Sequence, residues 1–156
     1  MYKPISFKPI NPLIFMKKIL IIVADFYKDI GQNLQQAAIE ALNEAGYRHD
    51  IIVVPGCFEL PSALSMVLAS NRQYAGFIAL GCVIKGETSH YDYVCGESAR
   101  GLSQIAIEKK IALGFGVITA NNKEQANARC QNNAKNYGTK AAKTCIEMLK
   151  IKESLA

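Results

Sequence analysis

Two rhythms of apolar and polar residues alternate along this chain. Lys18 precedes Ile19-Leu-Ile-Ile-Val-Ala24, a continuous run rich in β-branched residues, as expected of a strand buried on both faces. The period then lengthens: Ile30, Leu34, Ala37, Ala38, Ala41, Leu42 and Ala45 recur at helical spacing, with Asp29 placed to cap the start and Gly46 the end. Asp50–Val54 reads as a second strand stopped by Pro55-Gly56, and a short helix over Pro61–Ser70 follows. Gly76–Leu80 is the third strand. A longer helix starts near His90 with Val94, Cys95, Leu102, Ile105 and Ala106 inward, and Gly116–Thr119 is the fourth strand. From Asn122 the pattern is helical, broken near Tyr137-Gly138, with Ala142, Cys145, Ile146 and Leu149 inward. Parallel strands must be joined through crossovers, so this alternation predicts a three-layer α/β/α sandwich with a central, mainly four-stranded parallel sheet.

Ahead of it, residues 1–17 contain Pro4, Pro9 and Pro12 and no helical period, which predicts an extended N-terminal arm. Such an arm is either a loose terminus or a segment that lies on a neighbouring subunit. Residues 18–156 show no linker, repeat or low-complexity block and read as a single α/β domain. With 156 residues, 50% hydrophobic and 20% charged, the chain can bury a core of ordinary size, which excludes a disordered or disulfide-stapled protein. No apolar run approaches the roughly 20 residues that span a bilayer, so no membrane partner is expected.

Charge changes the picture less than its sum implies. The net +5 is concentrated at the ends: residues 1–18 carry four lysines and no acid, and residues 123–156 carry 7 basic and 3 acidic groups. Between them, residues 19–122 hold 7 basic and 10 acidic groups. Nucleic acid is therefore not an expected partner, because neither a basic patch interleaved with aromatics nor a basic helix is present. The five cysteines are widely spaced, without a Cys-x-x-Cys pair, which argues against a disulfide framework or thiolate zinc site and for a reducing, cytoplasmic setting.

Ligands of open parallel sheets bind beyond the carboxyl ends of the strands. Four segments converge there: Asp25-Phe26-Tyr27, Pro55-Gly-Cys-Phe-Glu59, Gly81 to His90, and Thr119-Ala-Asn-Asn122. Gly81-x-x-x-x-Gly86 superficially resembles a phosphate-binding loop, but Glu87-Thr88 stands where Lys-Ser/Thr is required. What remains is a turn before a helix, with Ser89 and Asp92 spaced as an N-cap and its acidic partner. That turn is either a plain cap or a phosphate seat, since free amides and the helix dipole attract anions. His90, in the first helical turn, is either a surface histidine or a ring kept neutral by the dipole and able to carry a proton. Phe26 and Phe58 are either core aromatics or stacking platforms for a flat ring. Glu59 either accepts from ligand hydroxyls or begins a helix, and Arg129 is a solvated side chain or a phosphate counter-ion. His49, without converging partners, has no assigned role. No dinucleotide turn, nucleophile elbow or clustered metal ligands occur, and Gly81 stands where a response regulator needs an aspartate. The residues point to an α/β protein that binds a phosphorylated small molecule.

Three segments narrow this further. Val54-Pro-Gly-Cys-Phe-Glu-Leu-Pro61, Leu80-Gly-Cys-Val-Ile-Lys-Gly-Glu-Thr-Ser-His-Tyr-Asp-Tyr-Val94, and Phe115-Gly-Val-Ile-Thr119 followed by Glu124-Gln125-Ala126 and Arg129 resemble the lumazine synthases of riboflavin biosynthesis. The likeness runs from about Lys18 to Leu149. It implies a transferase that condenses 5-amino-6-(D-ribitylamino)uracil with L-3,4-dihydroxy-2-butanone 4-phosphate to 6,7-dimethyl-8-ribityllumazine, phosphate and water, without metal or organic cofactor. The alternative is a non-catalytic flavin-binding, lumazine-binding or shell-forming homologue. The resemblance also implies that Phe26 stacks on the pyrimidine, that Cys57, Phe58 and Glu59 hold the ribityl chain, and that Cys82, Val83 and Ile84 contact the pyrimidine edge. Glu87 and Thr88 would seat the phosphate with Arg129, and His90 would carry protons. Phe115 and Arg129 would come from the adjacent subunit of a pentamer, itself a possible unit of a sixty-subunit shell, and riboflavin synthase is a candidate partner. Two positions depart from the family pattern: Tyr27 replaces an asparagine after the stacking Phe, and Tyr137 stands where a phosphate-side lysine is usual.

Overall fold

The computed structural model describes residues 17–156; the arm predicted for residues 1–17 lies, apart from Lys17, outside the described residues. Four strands, β1 (Lys18–Ala24), β2 (Arg48–Val54), β3 (Gly76–Ile84) and β4 (Leu113–Ala120), form one parallel sheet in the order β2-β1-β3-β4. The helices are α1 (Lys28–Glu44), α2 (Leu60–Ala69), α3 (His90–Lys109), α4 (Lys123–Ala128) and α5 (Tyr137–Ser154), with a single 3-10 turn at Cys57–Glu59 before α2. The predicted three-layer α/β/α sandwich is what forms.

β1 shows how the layers arise. Its side chains alternate between two separate cores: Ile19, Ile21 and Val23 pack with α1, α4 and α5, while Leu20, Ile22 and Ala24 pack with α2 and α3. A strand buried on both faces cannot show polar alternation, which explains the unbroken run in the sequence. Each fully buried Ile or Leu contributes about 1.5–3 kcal/mol relative to its exposed state. The chain leaves β1 in one direction to reach β2 and in the other to reach β3 and β4. Right-handed crossovers then place α1 on one face and α2 and α3 on the opposite face. The loops after β1 and β3 therefore diverge at a switch point, where a crevice opens.

Several boundaries differ from expectation. β3 continues four residues past Leu80, because Gly81 to Ile84 pair with Val117 to Ala120 of the longer β4. β2 begins at Arg48, ahead of the expected start at Asp50, so His49 lies within the strand. Asp29 sits in the first turn of α1, whose N-cap is Tyr27 without a side-chain cap. The break expected near Tyr137-Gly138 lies just ahead of it: α4 ends at Ala128, and Asn136 starts α5 by accepting the Gly138 amide on Oδ1 at 2.8 Å. On α3 only Val94, Ser98 and Leu102 are buried; Cys95, Ile105 and Ala106 are half-covered, because the helix lies over the edge of the sheet with one flank open.

Candidate active site

A cavity of about 480 Å³ occupies the crevice at the switch point. Phe26 and Tyr27 reach it from the end of β1, Pro55 to Glu59 from the turn after β2, and Cys82, Val83 and Ile84 from the last residues of β3. Gly86 and Thr88 enter from the next turn, and His90, Tyr91 and Val94 from the start of α3. This volume falls within the range of small-molecule sites.

The floor is built by close packing. A Cβ on Gly81 would stand 2.5 Å from Cys57 Sγ and 3.0 Å from Ala24 Cβ, so only glycine lets the turn after β2 settle against β3. Cys57 and Cys82 are nearly inaccessible, and burial pushes both thiols up to about 12. They are protonated at neutral pH and serve as packing groups, not nucleophiles. Above the floor the site is open and aromatic: Phe26 is 71% and Phe58 56% exposed, which settles their sequence ambiguity against a core role. Glu59, from the turn after β2, and His90, from α3, are exposed polar groups of the lining.

The turn from Gly86 to Ser89 differs from expectation in one respect. Ser89 occupies the N-cap position of α3 but its side chain makes no capping bond, so the Ser89–Asp92 box does not form. The His90 amide instead donates to Thr88 Oγ1 at 3.3 Å, while the Ser89 carbonyl accepts from Asp92 at 3.0 Å. The amides of Glu87, Thr88 and Ser89 make no hydrogen bond among the described residues. These three amides stand at the positive end of a 20-residue helix beside the cavity, the kind of position at which anions are attracted.

Residues 16–153 match the family described as 6,7-dimethyl-8-ribityllumazine synthase. The chain belongs to the lumazine synthase family. Its curated relatives include the 6,7-dimethyl-8-ribityllumazine synthases of Paramagnetospirillum magneticum, 43% identical over 90% of this chain and 97% of that protein, and of Agrobacterium fabrum, 43% identical over 88% and 95%. That of Afipia carboxidovorans is 43% identical over 89% of this chain and 88% of its own length.

Nine residues singled out on the lumazine synthase pattern line the cavity: Phe26, Cys57, Phe58, Glu59, Cys82, Val83, Ile84, Thr88 and His90. Glu87 stands exposed in the adjoining turn. Phe115 and Arg129 do not line the cavity. Phe115 lies on β4, in an apolar groove with Leu102, Leu113 and Met148, and Arg129 caps the end of α4 with Nη1 donating to the Gln125 carbonyl at 2.9 Å. Six further lining residues, Tyr27, Pro55, Gly56, Gly86, Tyr91 and Val94, were not read from the sequence as ligand contacts. The signal for Tyr91 was its spacing, because Tyr91 and Val94 sit one turn apart and share a face of a helix that starts at His90. Among the described residues no group of three or more His, Cys, Asp or Glu gathers with metal-binding geometry, and no helix is long and apolar enough to cross a membrane.

Proposed function

We propose that this chain condenses 5-amino-6-(D-ribitylamino)uracil with L-3,4-dihydroxy-2-butanone 4-phosphate to 6,7-dimethyl-8-ribityllumazine, releasing phosphate and water. The observation that carries this reading is the convergence of two exposed aromatics, a carboxylate, open amides at a helix start and a histidine on one cavity, in a chain of this family.

The chemistry follows from those groups. Phe26 stacks on the pyrimidine ring, Cys82 to Ile84 meet its edge through the backbone, and Cys57, Phe58 and Glu59 hold the ribityl chain, Glu59 accepting from hydroxyls. The amides of Glu87 and Thr88 hold the phosphate. The pyrimidine 5-amino group attacks the ketone carbon and one water leaves to give the imine. Loss of the C3 proton then expels phosphate from C4 with its bonding electron pair, and the resulting enol takes a proton at C4 to give a C3 ketone. The ribitylamino nitrogen attacks that ketone and closes the ring with loss of a second water. Each of these steps moves a proton, and in this reading His90, which lines the cavity, takes and returns it. Holding two substrates in register removes translational freedom, an effect that supplies up to about 7–11 kcal/mol of the barrier in favourable cases.

Arg129 and Phe115 complete the site from a neighbouring copy in this reading. The exposed Phe115 and its apolar groove on the open β4 edge support a self-associated state, a pentamer or a multiple of one. Five free thiols support a reducing, cytoplasmic setting. The test is a two-substrate assay without added metal. The protein is expected to form the lumazine, and His90→Ala to slow turnover by about 10²–10⁴ with folding intact, the range for loss of general acid–base catalysis. Tight binding of a ribityl ligand with no product would instead identify a non-catalytic binding homologue, and unchanged turnover in the variant would remove His90 from the chemistry.

A further inference from the structure

Phe26 stands at the cavity mouth with 71% of its surface exposed and no polar group to anchor it. A ring in that state samples several rotamers, and stacking on a flat ligand selects one of them, so the unselected population lowers the apparent affinity. Its neighbour Tyr27 is in the opposite condition. The Tyr27 carbonyl accepts the Gly31 amide at 2.9 Å, fixing its backbone at the start of α1, and its half-buried ring packs against the core under α1 and α5. The two rings meet at 5.0 Å between centroids and 76° between planes, an edge-to-face contact within the favourable range.

We propose that Tyr27 is a positioning residue whose fixed ring braces Phe26 in the orientation that stacks on the pyrimidine or lumazine ring. The proposal rests on the reading above that Phe26 is the stacking platform. Tyr27 is the only part of the device that the core holds, so Phe26 takes its orientation from it. The phenol hydroxyl is dispensable in this role: the contact is between ring edge and ring face. Burial first, and then the nearby Cys82 and Cys57 thiols, push the phenol up from its ordinary value of 10.0, so it is neutral across the working pH range and brings no charge to the cavity.

Binding of 6,7-dimethyl-8-ribityllumazine, followed by its fluorescence, tests the brace without requiring turnover. Tyr27→Ala is expected to weaken Kd roughly three- to tenfold, the equivalent of one lost aromatic pair. Tyr27→Phe, which keeps the ring, is expected to restore Kd to within about twofold of the unaltered protein. In a Phe26→Ala background, Tyr27→Ala is expected to add nothing further, because Tyr27 acts through Phe26. Inorganic phosphate affinity, measured in the same variants, is expected to stay constant and thereby separates a local effect from collapse of the site. Unchanged Kd in Tyr27→Ala, additive losses in the double variant, or a parallel loss of phosphate affinity would each overturn the brace. Unaltered protein that binds the lumazine but makes none from the two substrates would refute the proposed reaction and leave the brace to be decided by the variants.

Discussion

Thiols placed beside a substrate cavity invite a nucleophilic reading, and here their surroundings decide against it. Cys57 and Cys82, like Cys145 on the buried face of α5, are surrounded by apolar groups that favour the neutral form, and all three are pushed up to about 12. The sequence placed Cys57 and Cys82 in the segments that converge on the ligand edge, and their burial there could not be read from it. Linkage turns this into a prediction about stability. In the unfolded chain each thiol ionises near its ordinary value of 9.0, whereas in the folded protein it keeps its proton to about 12. Their contribution is therefore complete below pH 9 and is lost as pH rises towards 12. Urea midpoints are expected to fall across that window, and less steeply in Cys145→Ala than in the unaltered protein; equal slopes would sink the argument. What the sequence did not reveal at this scale was Ser89. Its spacing to Asp92 fits a capping box, but the backbone at the turn lets Thr88 take the His90 amide instead, and such a choice depends on torsions that spacing does not encode.

Elements were legible wherever burial wrote a period into the chain. β1 and α1 show this best, one buried on both faces and the other along a stripe. The ends of β3 and β4 were less legible, because pairing across Gly81 to Ile84 is a property of two distant segments and leaves no local mark. The start of α5 shows the same limit. Tyr137-Gly138 reads locally as a break, yet a Cβ on Gly138 would stand 2.0 Å from the Leu34 carbonyl oxygen of α1. The glycine is required by a helix contact that comes from more than 100 residues earlier in the chain, about an order of magnitude beyond the 11–18-residue windows in which periodicity is read. Gly138→Ala is accordingly expected to force α5 away from α1 and cost about 2–4 kcal/mol, the range of severe overpacking. Chemical denaturation measures it, and a loss under about 0.5 kcal/mol, the range for ordinary surface changes, would show that the helices separate freely.

At the scale of the whole molecule, counting strands and helices gave a parallel sheet with its ligand edge at the carboxyl ends of the strands. The order β2-β1-β3-β4, which places the cavity between diverging loops, came from the structure. The isolated chain nevertheless leaves the proposed site incomplete. His90 lines the cavity, while Arg129 at the end of α4 and Phe115 on the open edge of β4 do not. No pattern within one chain reveals which residues a second copy supplies; only the family likeness assigned these two to a neighbour. The arrangement makes a prediction that a self-sufficient subunit would fail. His90→Ala and Arg129→Ala are each expected to reduce lumazine formation severely when pure. Unfolded together and reassembled in equal amounts, they are expected to regain activity, because about a quarter of the composite sites then pair an intact His90 with an intact Arg129 from the adjacent subunit. The native assembly carrying this activity is expected to have a mass several times the 17.1 kDa of one chain. Recovery has no source if both residues serve the same subunit's cavity, so a mixture no more active than its components would place Arg129 and His90 in one chain's site and remove the intersubunit arrangement.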